Sequence, residues 1–447
     1  MSQGAKYTHG NVGKLMFSTA VSMLAGTLSI SGYNIADTYF VAKLGHLPLA
    51  AMGYTFPVVM FLGSIYHGLG GGANTPVAHL LGESRRHRAA MVVSSGVLLI
   101  IITGILMGLL GIATINPVFR ALGATSETMP MIRSYMIYWY AGSVITGLSM
   151  ACNHLLISGG APRMAGIMMM TGMLLNVILD PLFIFTFGLG IAGAAIATAL
   201  AQLISLMIVL SILHYRMHLV VHPRDISRSD LFGAWRTIAN YGIPAMLGMV
   251  LNPLGMAVVT YAVARTGGDP AVAATAACNR FESIAFIFPM SLGISLLPII
   301  AQNYGAGFYQ RIDRCRQISM RFALIFLSLM SLIYTVFAPQ FARIFSQDPE
   351  VIAIMVRYTR ITVWGFAGIE VHRYSTFFFT GSKHPVFAAG LNMLRIIGLL
   401  MPLSLIAMYF GSLDAVFFAR LIADVAAGVI GCMLAARLTH RLVGKKS

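Results

Sequence analysis

Residues 15–42 read LMFSTAVSMLAGTLSISGYNIADTYFVA, an apolar stretch long enough to cross a membrane as one helix. Asp37 is the only charged residue between Lys14 and Lys43. A charge at membrane depth costs at least about 2.5–3.5 kcal/mol on insertion scales, and ionisable residues placed there are functional by default. The stretch therefore predicts both a membrane span and a functional site within it.

Composition and hydropathy extend this prediction to the whole chain. The 447 residues are 57% hydrophobic and 10% charged, with a mean hydropathy of +0.80, whereas soluble domains carry roughly 25% charged residues. Because stretches of about 20 or more apolar residues recur from end to end, an all-α membrane protein is predicted. The twelve predicted spans lie at residues 14–43, 48–81, 89–115, 128–157, 163–187, 190–215, 236–265, 270–303, 317–338, 350–380, 384–410 and 413–436.

Basic residues are distributed unevenly between the segments that join the spans. If the N-terminus is inside, 19 of the 30 Lys and Arg residues fall in inner segments, among them Arg224, Lys445 and Lys446, and five fall in outer segments. This pattern predicts a multi-pass protein of the cell (inner) membrane with both termini in the cytoplasm. The net charge of +16 then reflects topology and contact with membrane lipid, and no nucleic-acid partner is predicted.

The two halves of the chain resemble each other at a constant offset of 222 residues. The pattern Thr-Tyr-x-Val-Ala-(Lys/Arg)-x-Gly-x-x-Pro at residues 38–48 recurs at 260–270, and three further short matches share the offset. Each half holds six predicted spans, so the halves form a parallel repeat with a ligand site expected between them near the midplane. The predicted organisation is an N-lobe at 1–215, a cytoplasmic linker at 216–235 and a C-lobe at 236–447.

Acidic residues break this repeat. The position 222 residues after Asp37 is Val259, and the position after Asp180 at the same offset is Pro402. The acidic pair therefore belongs to the first half alone, and the two lobes are expected to have different roles.

Four oxygen-bearing side chains of the first half are expected at similar depth in the membrane. Asn176 precedes Asp180 by four residues and shares its helical face. A rise of about 1.5 Å per residue places Asp37, Asp180 and Thr198 in the outer half of their spans. Carboxylate, amide and hydroxyl oxygens suit a small cation such as Na⁺, and burial beside a like charge favours a protonated carboxyl group. The sequence predicts a coupling site for Na⁺ or H⁺ and no other cofactor, with hydrogen bonding between helices as the structural alternative.

Charged residues also occur in or near the predicted spans of the second half. Arg420 and Asp424 are four residues apart and can neutralise each other. The set also includes five further residues, Arg280, Glu282, Glu370, Arg373 and Arg395. Glu370 and Arg373 are three residues apart and can pair on one helical face, whereas Arg395 has no oppositely charged neighbour at that spacing. These five residues are predicted to contact substrate or to gate the cavity, with mutual ion pairing as the alternative.

An ordered set of motifs along nearly the whole chain resembles the multidrug and toxic compound extrusion (MATE) family. The motifs are DTYFVAKLG at 37–45, GGANTP at 71–76, SGGAP at 158–162, NVILDPLFI at 176–184, GAAIAT at 193–198, RFESI at 280–284 and QNYGAG at 302–307. The resemblance implies twelve spans in two six-helix lobes and cation-coupled export of organic compounds, often cationic or aromatic.

Within that family the chain is closer to the DinF-like than to the NorM-like pattern. DinF-like members are expected to bind the cation at positions that match Asp37, Asn176, Asp180 and Thr198, with Tyr33, Tyr135 and Asn153 nearby in the substrate cavity. NorM-like members use acidic residues of spans seven and ten, which correspond here to Asn252 and Glu370. Because the first of these is an amide, the N-lobe site is favoured.

The expected protein is therefore an antiporter and not an enzyme. Na⁺ or H⁺ would drive the export of a small organic substrate by alternating access, and a monomer is expected. The alternative is a lipid-linked oligosaccharide flippase of the wider superfamily, in which Arg280, Arg373 and Arg395 would hold a pyrophosphate. No nucleophile motif, metal-ligand spacing or filter-like repeat supports an enzyme or a channel.

Overall fold

The computed structural model describes residues 6–222 and 225–444, which are almost entirely helical and contain no β-strand. The fifteen α-helices of this part of the chain are α1 (Val12–Ala42), α2 (His46–Gly82), α3 (Arg86–Ala121), α4 (Met129–Ser158), α5 (Pro162–Pro181), α6 (Ile191–Ser211), α7 (Arg228–Ala285), α8 (Ile287–Gly305), α9 (Tyr309–Val336), α10 (Ala338–Phe345), α11 (Pro349–Thr362), α12 (Phe366–Gly381), α13 (Pro385–Met393), α14 (Met401–Tyr409) and α15 (Leu413–Gly444). Short 3₁₀-helices lie at Lys6–Thr8 and Val363–Gly365, and π-helices at Leu182–Thr186, Ile212–Arg216 and Leu394–Leu400.

These helices form the twelve predicted spans in the predicted order. Helices α1 to α6, α9 and α15 each correspond to one span. The tenth span is built from α11 and α12, and the eleventh from α13 and α14 with the π-helix between them. Helix α7 contains the seventh span and the start of the eighth, which α8 completes. Ten helical segments in the described part of the chain are long and apolar enough to cross a membrane.

Two breaks interrupt the helices around the eighth span. Gly268 has φ +65° and ψ −163° inside α7, a conformation that glycine adopts readily, and it ends the seventh span. Pro289 follows Ala285, the last residue of α7, by four positions and has no N–H to donate to that carbonyl. The helix therefore restarts at Ile287 after a one-residue turn at Phe286.

The segment predicted as a connector is partly helical. Helix α7 begins at Arg228, eight residues before the predicted start of the seventh span. Ser227 caps it: its Oγ accepts the backbone N–H of Asp230 at 3.1 Å and donates to the Asp230 carboxylate at 2.6 Å. Upstream of the cap, Leu219 is buried and the N–H of Val221 donates to Ser94 Oγ at 3.0 Å. The Ser-x-x-Asp pattern resembles a capping box and is the local signal for the earlier start.

Small residues allow close approach between helices. A Cβ added at Gly142 on α4 would lie 2.8 Å from the Cβ of Ala199 on α6. One added at Gly428 on α15 would lie 2.4 Å from the backbone oxygen of Gly368 on α12. Such contacts are typical of membrane helices, whose association depends on van der Waals packing because lipid supplies no hydrophobic driving force.

Packing divides the described chain into two compact units. The first unit contains residues 6–8 and 21–246, and the second contains 9–20 and 247–444. The lobe boundaries proposed from the repeat stay a prediction. Three of the basic residues counted in the inner segments, Arg224, Lys445 and Lys446, lie outside the described residues.

Candidate functional site

The four predicted cation-site residues come from three helices of the first unit. Asp37 lies in the last two turns of α1, and Thr198 lies two turns into α6. Asn176 and Asp180 lie at the end of α5, where Pro181 interrupts regular helical bonding and a π-helix follows. All four side chains are buried, with at most 8% of any residue exposed. We call these four residues the carboxylate cluster.

A chain of hydrogen bonds joins the carboxylate cluster. Asn176 Nδ2 donates to Asp180 Oδ1 at 3.1 Å and to Thr198 Oγ1 at 3.3 Å. Thr198 Oγ1 in turn donates to Asp37 Oδ2 at 3.5 Å. The structure therefore brings together the i, i+4 pair on α5 and two residues that are remote in sequence.

The cluster has more acceptors than donors. Asp37 Oδ1, Asp180 Oδ2 and Asn176 Oδ1 are buried and have no hydrogen-bond partner among the described residues. No Lys or Arg in that part of the chain forms an ion pair with either carboxylate. Buried acceptors without partners cost free energy, about 1–3 kcal/mol each and more for charged groups. A cation or a proton bound here would remove that cost.

Gln202 joins the site and was not predicted. It lies four residues after Thr198 on α6, its Oε1 is another buried acceptor without a partner in the described chain, and its side chain contacts the Tyr33 hydroxyl. The signal in the sequence is the spacing Thr198-x-x-x-Gln202 within an apolar helix, which places both polar side chains on one face.

The three predicted cavity residues of the first unit differ in their relation to the cluster. Tyr33 donates its hydroxyl to the backbone oxygen of Thr198 at 3.3 Å. Tyr135 on α4 is buried and lies close enough to both aspartates to interact with them electrostatically. Asn153 forms no hydrogen bond with the cluster among the described residues: its Nδ2 donates to the Ser149 carbonyl on its own helix at 2.9 Å, and its buried Oδ1 has no partner there.

In the second unit, the predicted polar residues form ion pairs. Glu282 accepts from Arg420 Nη2 at 2.8 Å and from the Thr362 hydroxyl at 3.2 Å. Arg395 donates through Nε and Nη2 to Asp424 Oδ1, both at 2.8 Å. The partner that Arg395 lacked at local spacing therefore lies on another helix.

Glu370 and Arg373 pair as their spacing predicts. Arg373 Nη1 lies 3.1 Å from Glu370 Oε2, without the geometry of a hydrogen bond, and its guanidinium lies 5.6 Å from the ring centroid of Phe286. Arg280 is exposed and is joined to neither Glu282 nor Glu370 in the described structure. Among the described residues, carboxylates thus neutralise two of the three arginines proposed to hold a pyrophosphate, and the third, Arg280, forms no ion pair with either carboxylate.

The donor set of the carboxylate cluster limits its chemistry. No group of three or more His, Cys, Asp or Glu side chains in the described residues could hold a metal ion. Two carboxylates, one amide oxygen and a hydroxyl are hard oxygen donors, which suit Na⁺ or a proton better than a metal ion that prefers thiolate or imidazole ligands.

Comparison with known proteins gives the same family as the resemblance of the sequence motifs. The MatE family model matches residues 22–182 and 244–406, most of both halves. The chain belongs to the MATE family. Its members are transporters, so this MATE protein is a multi-pass membrane transporter and not an enzyme.

Relatives and solved structures support this assignment over nearly the full length. The chain is similar to an FAD transporter of Shewanella oneidensis, with 32% identity covering 96% of this chain and 95% of the relative. It is also similar to the multidrug export protein MepA of Staphylococcus aureus, with 25% identity over 78% of this chain and 77% of MepA.

Among solved structures, the Vibrio cholerae MATE transporter VcmN in its bent form matches with a TM-score of 0.90 and 28% identity, covering 96% of this chain and 98% of VcmN. A superfamily transporter from Pyrococcus furiosus matches with a TM-score of 0.90 and 22% identity, covering 99% of each chain, and supports the fold alone. The predicted twelve-helix, two-lobe fold is confirmed by these structures, whereas assignment to the DinF-like group stays a prediction.

Proposed function

We propose that this MATE transporter is a cation-coupled antiporter in which Na⁺ or H⁺ binds the carboxylate cluster and drives export of organic, cationic or aromatic compounds. One observation carries the proposal: two buried carboxylates lie in one hydrogen-bonded cluster, each with an unpaired oxygen, and no basic side chain of the described residues neutralises them. A purely structural cluster would be expected to satisfy its buried acceptors, because unsatisfied ones destabilise the fold.

Coupling requires the cation to discriminate between two conformations. A ligand shifts a conformational equilibrium only by its difference in affinity for the two states. Asp37 on α1 and Asp180 on α5 lie close enough to interact directly and are also bridged by the side chains of Asn176 and Thr198. The hydrogen bond from Thr198 to Asp37 is the longest in this network at 3.5 Å. A small movement of α1 relative to α5 and α6 would therefore change the number of oxygens available to the ion, and with it the affinity.

The relatives suggest the substrate class. One is named an FAD transporter and another a multidrug export protein. Planar aromatic groups are common to flavins and to many organic cations, so aromatic compounds are the first candidate substrates. FAD itself is a second candidate, favoured by the similarity of 32% over 96% of the chain. Its pyrophosphate would need converging cations, and of the predicted cavity arginines Arg280 alone has no carboxylate partner in the described structure, so FAD ranks behind cationic aromatic compounds.

The lipid-linked oligosaccharide alternative has less support. A pyrophosphate needs converging cations, but Asp424 neutralises Arg395 and Glu370 neutralises Arg373. We further propose that the protein is a monomer in the cell inner membrane with both termini in the cytoplasm. This orientation follows from the excess of basic residues in the inner segments and is tested by accessibility of single cysteines placed at the two ends.

Transport by the full-length protein in proteoliposomes tests the coupling proposal. Uptake of FAD and of a cationic aromatic dye would be measured while Na⁺ and H⁺ gradients are imposed separately. We expect one or both gradients to drive transport by the wild type and by Asp269→Asn, an exposed carboxylate distant in sequence from the cluster. Asp37→Asn should lose gradient-driven transport, and full retention of it would refute the coupling role.

A further inference from the structure

A second buried polar cluster lies in the second unit, centred on Arg420 of α15. Its guanidinium donates through Nη2 to Glu282 at 2.8 Å and through Nη1 to Asn279 Oδ1 at 3.2 Å and to the Tyr358 hydroxyl. Its Nε lies 3.8 Å from Asp424 Oδ2, and its Cζ lies 5.7 Å from the ring centroid of Tyr358. The side chains of Arg420, Glu282 and Asp424 are 18%, 5% and 3% exposed.

A second guanidinium balances the charge. Asp424 Oδ1 accepts both bonds from Arg395, which also reaches Asn252 Oδ1 at 3.5 Å. Two carboxylates thus face two guanidinium groups, and we call Arg395, Arg420, Glu282 and Asp424 the arginine cluster. It differs from the carboxylate cluster in one respect that matters here: its anions have cationic partners.

The repeat relates the two clusters position by position on one helix of each half. Helix α6 begins at Ile191 and α15 begins at Leu413, 222 residues later, which is the offset of the repeat. At this offset Thr198 corresponds to Arg420. The helix that supplies a bridging hydroxyl in the first half therefore supplies a guanidinium at the same position in the second.

The correspondence continues one turn further along the same helices. Gln202 in the first half corresponds to Asp424 in the second. Both clusters also draw on the fifth span of their half, with Asn176 and Asp180 in one and Arg395 in the other. Both halves thus have a polar cluster on equivalent helices, but among the described residues only the cluster of the second half contains basic side chains.

We propose that the arginine cluster is the counterpart of the carboxylate cluster in which the Arg420 guanidinium is a tethered resident cation. The pocket formed by Glu282, Asp424, Asn279 and Tyr358 is accordingly a latent binding site for a planar, guanidinium-class monovalent cation. Because the native occupant is covalently attached, this site does not exchange ions. On the proposed function above, coupling ions are then exchanged by the first unit alone.

The geometry selects a planar cation with several donors. Arg420 uses Nε, Nη1 and Nη2 toward different acceptors, and the Tyr358 ring lies near its Cζ. Free guanidinium presents the same forked N–H groups and stacks on aromatic faces, whereas a quaternary ammonium has no N–H donor. Tetramethylammonium, a monovalent cation with no N–H donor, is therefore the matched control for ionic strength.

Removal of the tethered cation tests the proposal without any transport measurement. Purified full-length Arg420→Ala would be followed by its thermal midpoint in detergent, with guanidinium or tetramethylammonium chloride added at equal ionic strength. We expect the midpoint to fall relative to wild type, and guanidinium to restore most of the loss in a saturable manner. The effective concentration should be on the order of 10 mM, far below the molar concentrations that unfold proteins. Wild type should show no such response.

A second variant keeps the test decisive if Arg420→Ala folds poorly. The double variant Arg420→Ala/Glu282→Gln removes one carboxylate with the guanidinium, so it should fold and should not respond to guanidinium. Recovery of folded Arg420→Ala only when guanidinium is present would support the proposal. Absence of rescue in the single variant, or equal rescue in the double variant or by tetramethylammonium, would overturn it. Because the readout is stability, failure here leaves the coupling proposal at Asp37 standing, and the reverse also holds.

Discussion

Replacing Asp37 by asparagine separates a coupling role from a structural one. The Asp37 carboxylate accepts a long hydrogen bond from Thr198 Oγ1, at 3.5 Å, and its Oδ1 has no partner among the described residues. A typical hydrogen bond contributes about 0.5–1.5 kcal/mol net, and one of this length lies at or below the lower limit. Asparagine preserves the shape, can still accept this bond and removes a buried negative charge. We expect the free energy of unfolding to stay within about 1 kcal/mol of wild type, or to rise.

Stability in the presence of the coupling ion gives the second half of this prediction. An ion that binds only the folded protein stabilises it by RT ln(1 + [L]/Kd), about 2.7 kcal/mol at one hundred times Kd. Removing one of the two carboxylates removes half of the negative charge that attracts the ion. We therefore expect Na⁺ or H⁺ to raise the thermal midpoint of the wild type, and the midpoint of Asp37→Asn to stay flat over the same range.

Thermal unfolding of the purified protein, followed by tryptophan fluorescence, measures both the stability of Asp37→Asn and its response to the ions. Na⁺ would be titrated at constant pH and ionic strength, and pH would be varied separately without Na⁺. Asp269→Asn provides a matched carboxylate-to-amide control at an exposed position and should respond to the ions as the wild type does. A loss of more than about 2 kcal/mol in Asp37→Asn would indicate that the carboxylate holds the fold together. An ion response equal to that of the wild type would exclude it from the binding site.

Three further substitutions, one of them with a matched control, test the site and the fold. Thr198→Val is nearly isosteric and removes the hydroxyl that bridges Asn176 and Asp37. The ion concentration for half-maximal transport should therefore rise about tenfold, equivalent to about 1.4 kcal/mol. An unchanged concentration would contradict a role of this hydroxyl in ion binding. Gly428→Ala should destabilise the protein by about 1–3 kcal/mol, because the added Cβ meets backbone atoms of Gly368, whereas Gly390→Ala, with no atom within 4 Å, should be neutral or stabilising in the same denaturation assay. Ser227→Ala removes the cap of α7 and should lower the free energy of unfolding by about 1 kcal/mol. Hydrogen exchange of the backbone amides in the first turn of α7 should accelerate. Protection of these amides equal to that of the wild type would show that the cap contributes little.

Much of the carboxylate cluster could be predicted because its signals are local. The four-residue spacing of Asn176 and Asp180 predicts a shared face, and the structure shows their hydrogen bond at 3.1 Å. The predicted depth of Asp37 and Thr198 placed them at a similar level, but only packing shows that Thr198 reaches Asp37. Gln202 was missed because an uncharged amide in an apolar helix gives a weaker signal than a carboxylate does.

The second unit shows where such prediction ends. The pairing of Glu370 with Arg373 follows from spacing along one helix and is confirmed. The spacing of four residues predicts the contact of Arg420 with Asp424. The other partners, Asp424 of Arg395 and Glu282 of Arg420, lie 29 and 138 residues away, and no periodicity relates them. Asn153 and Arg280 have the residue types expected of a site, yet the structure joins neither to a cluster.

The sequence by itself determined the number and order of the spans, the membrane class and the confinement of Asp37 and Asp180 to the first half. These follow from bilayer thickness, helical period and the repeat, which act along the chain and need no knowledge of packing. Only the tertiary structure decided that Glu282 meets a guanidinium group from another helix whereas Asp37 and Asp180 meet no basic side chain of the described residues. The reason is that ion pairing between helices depends on which helix faces meet. In the carboxylate cluster on α1, α5 and α6 this leaves oxygens without partners among the described residues, whereas in the arginine cluster around Arg420 the charges are balanced.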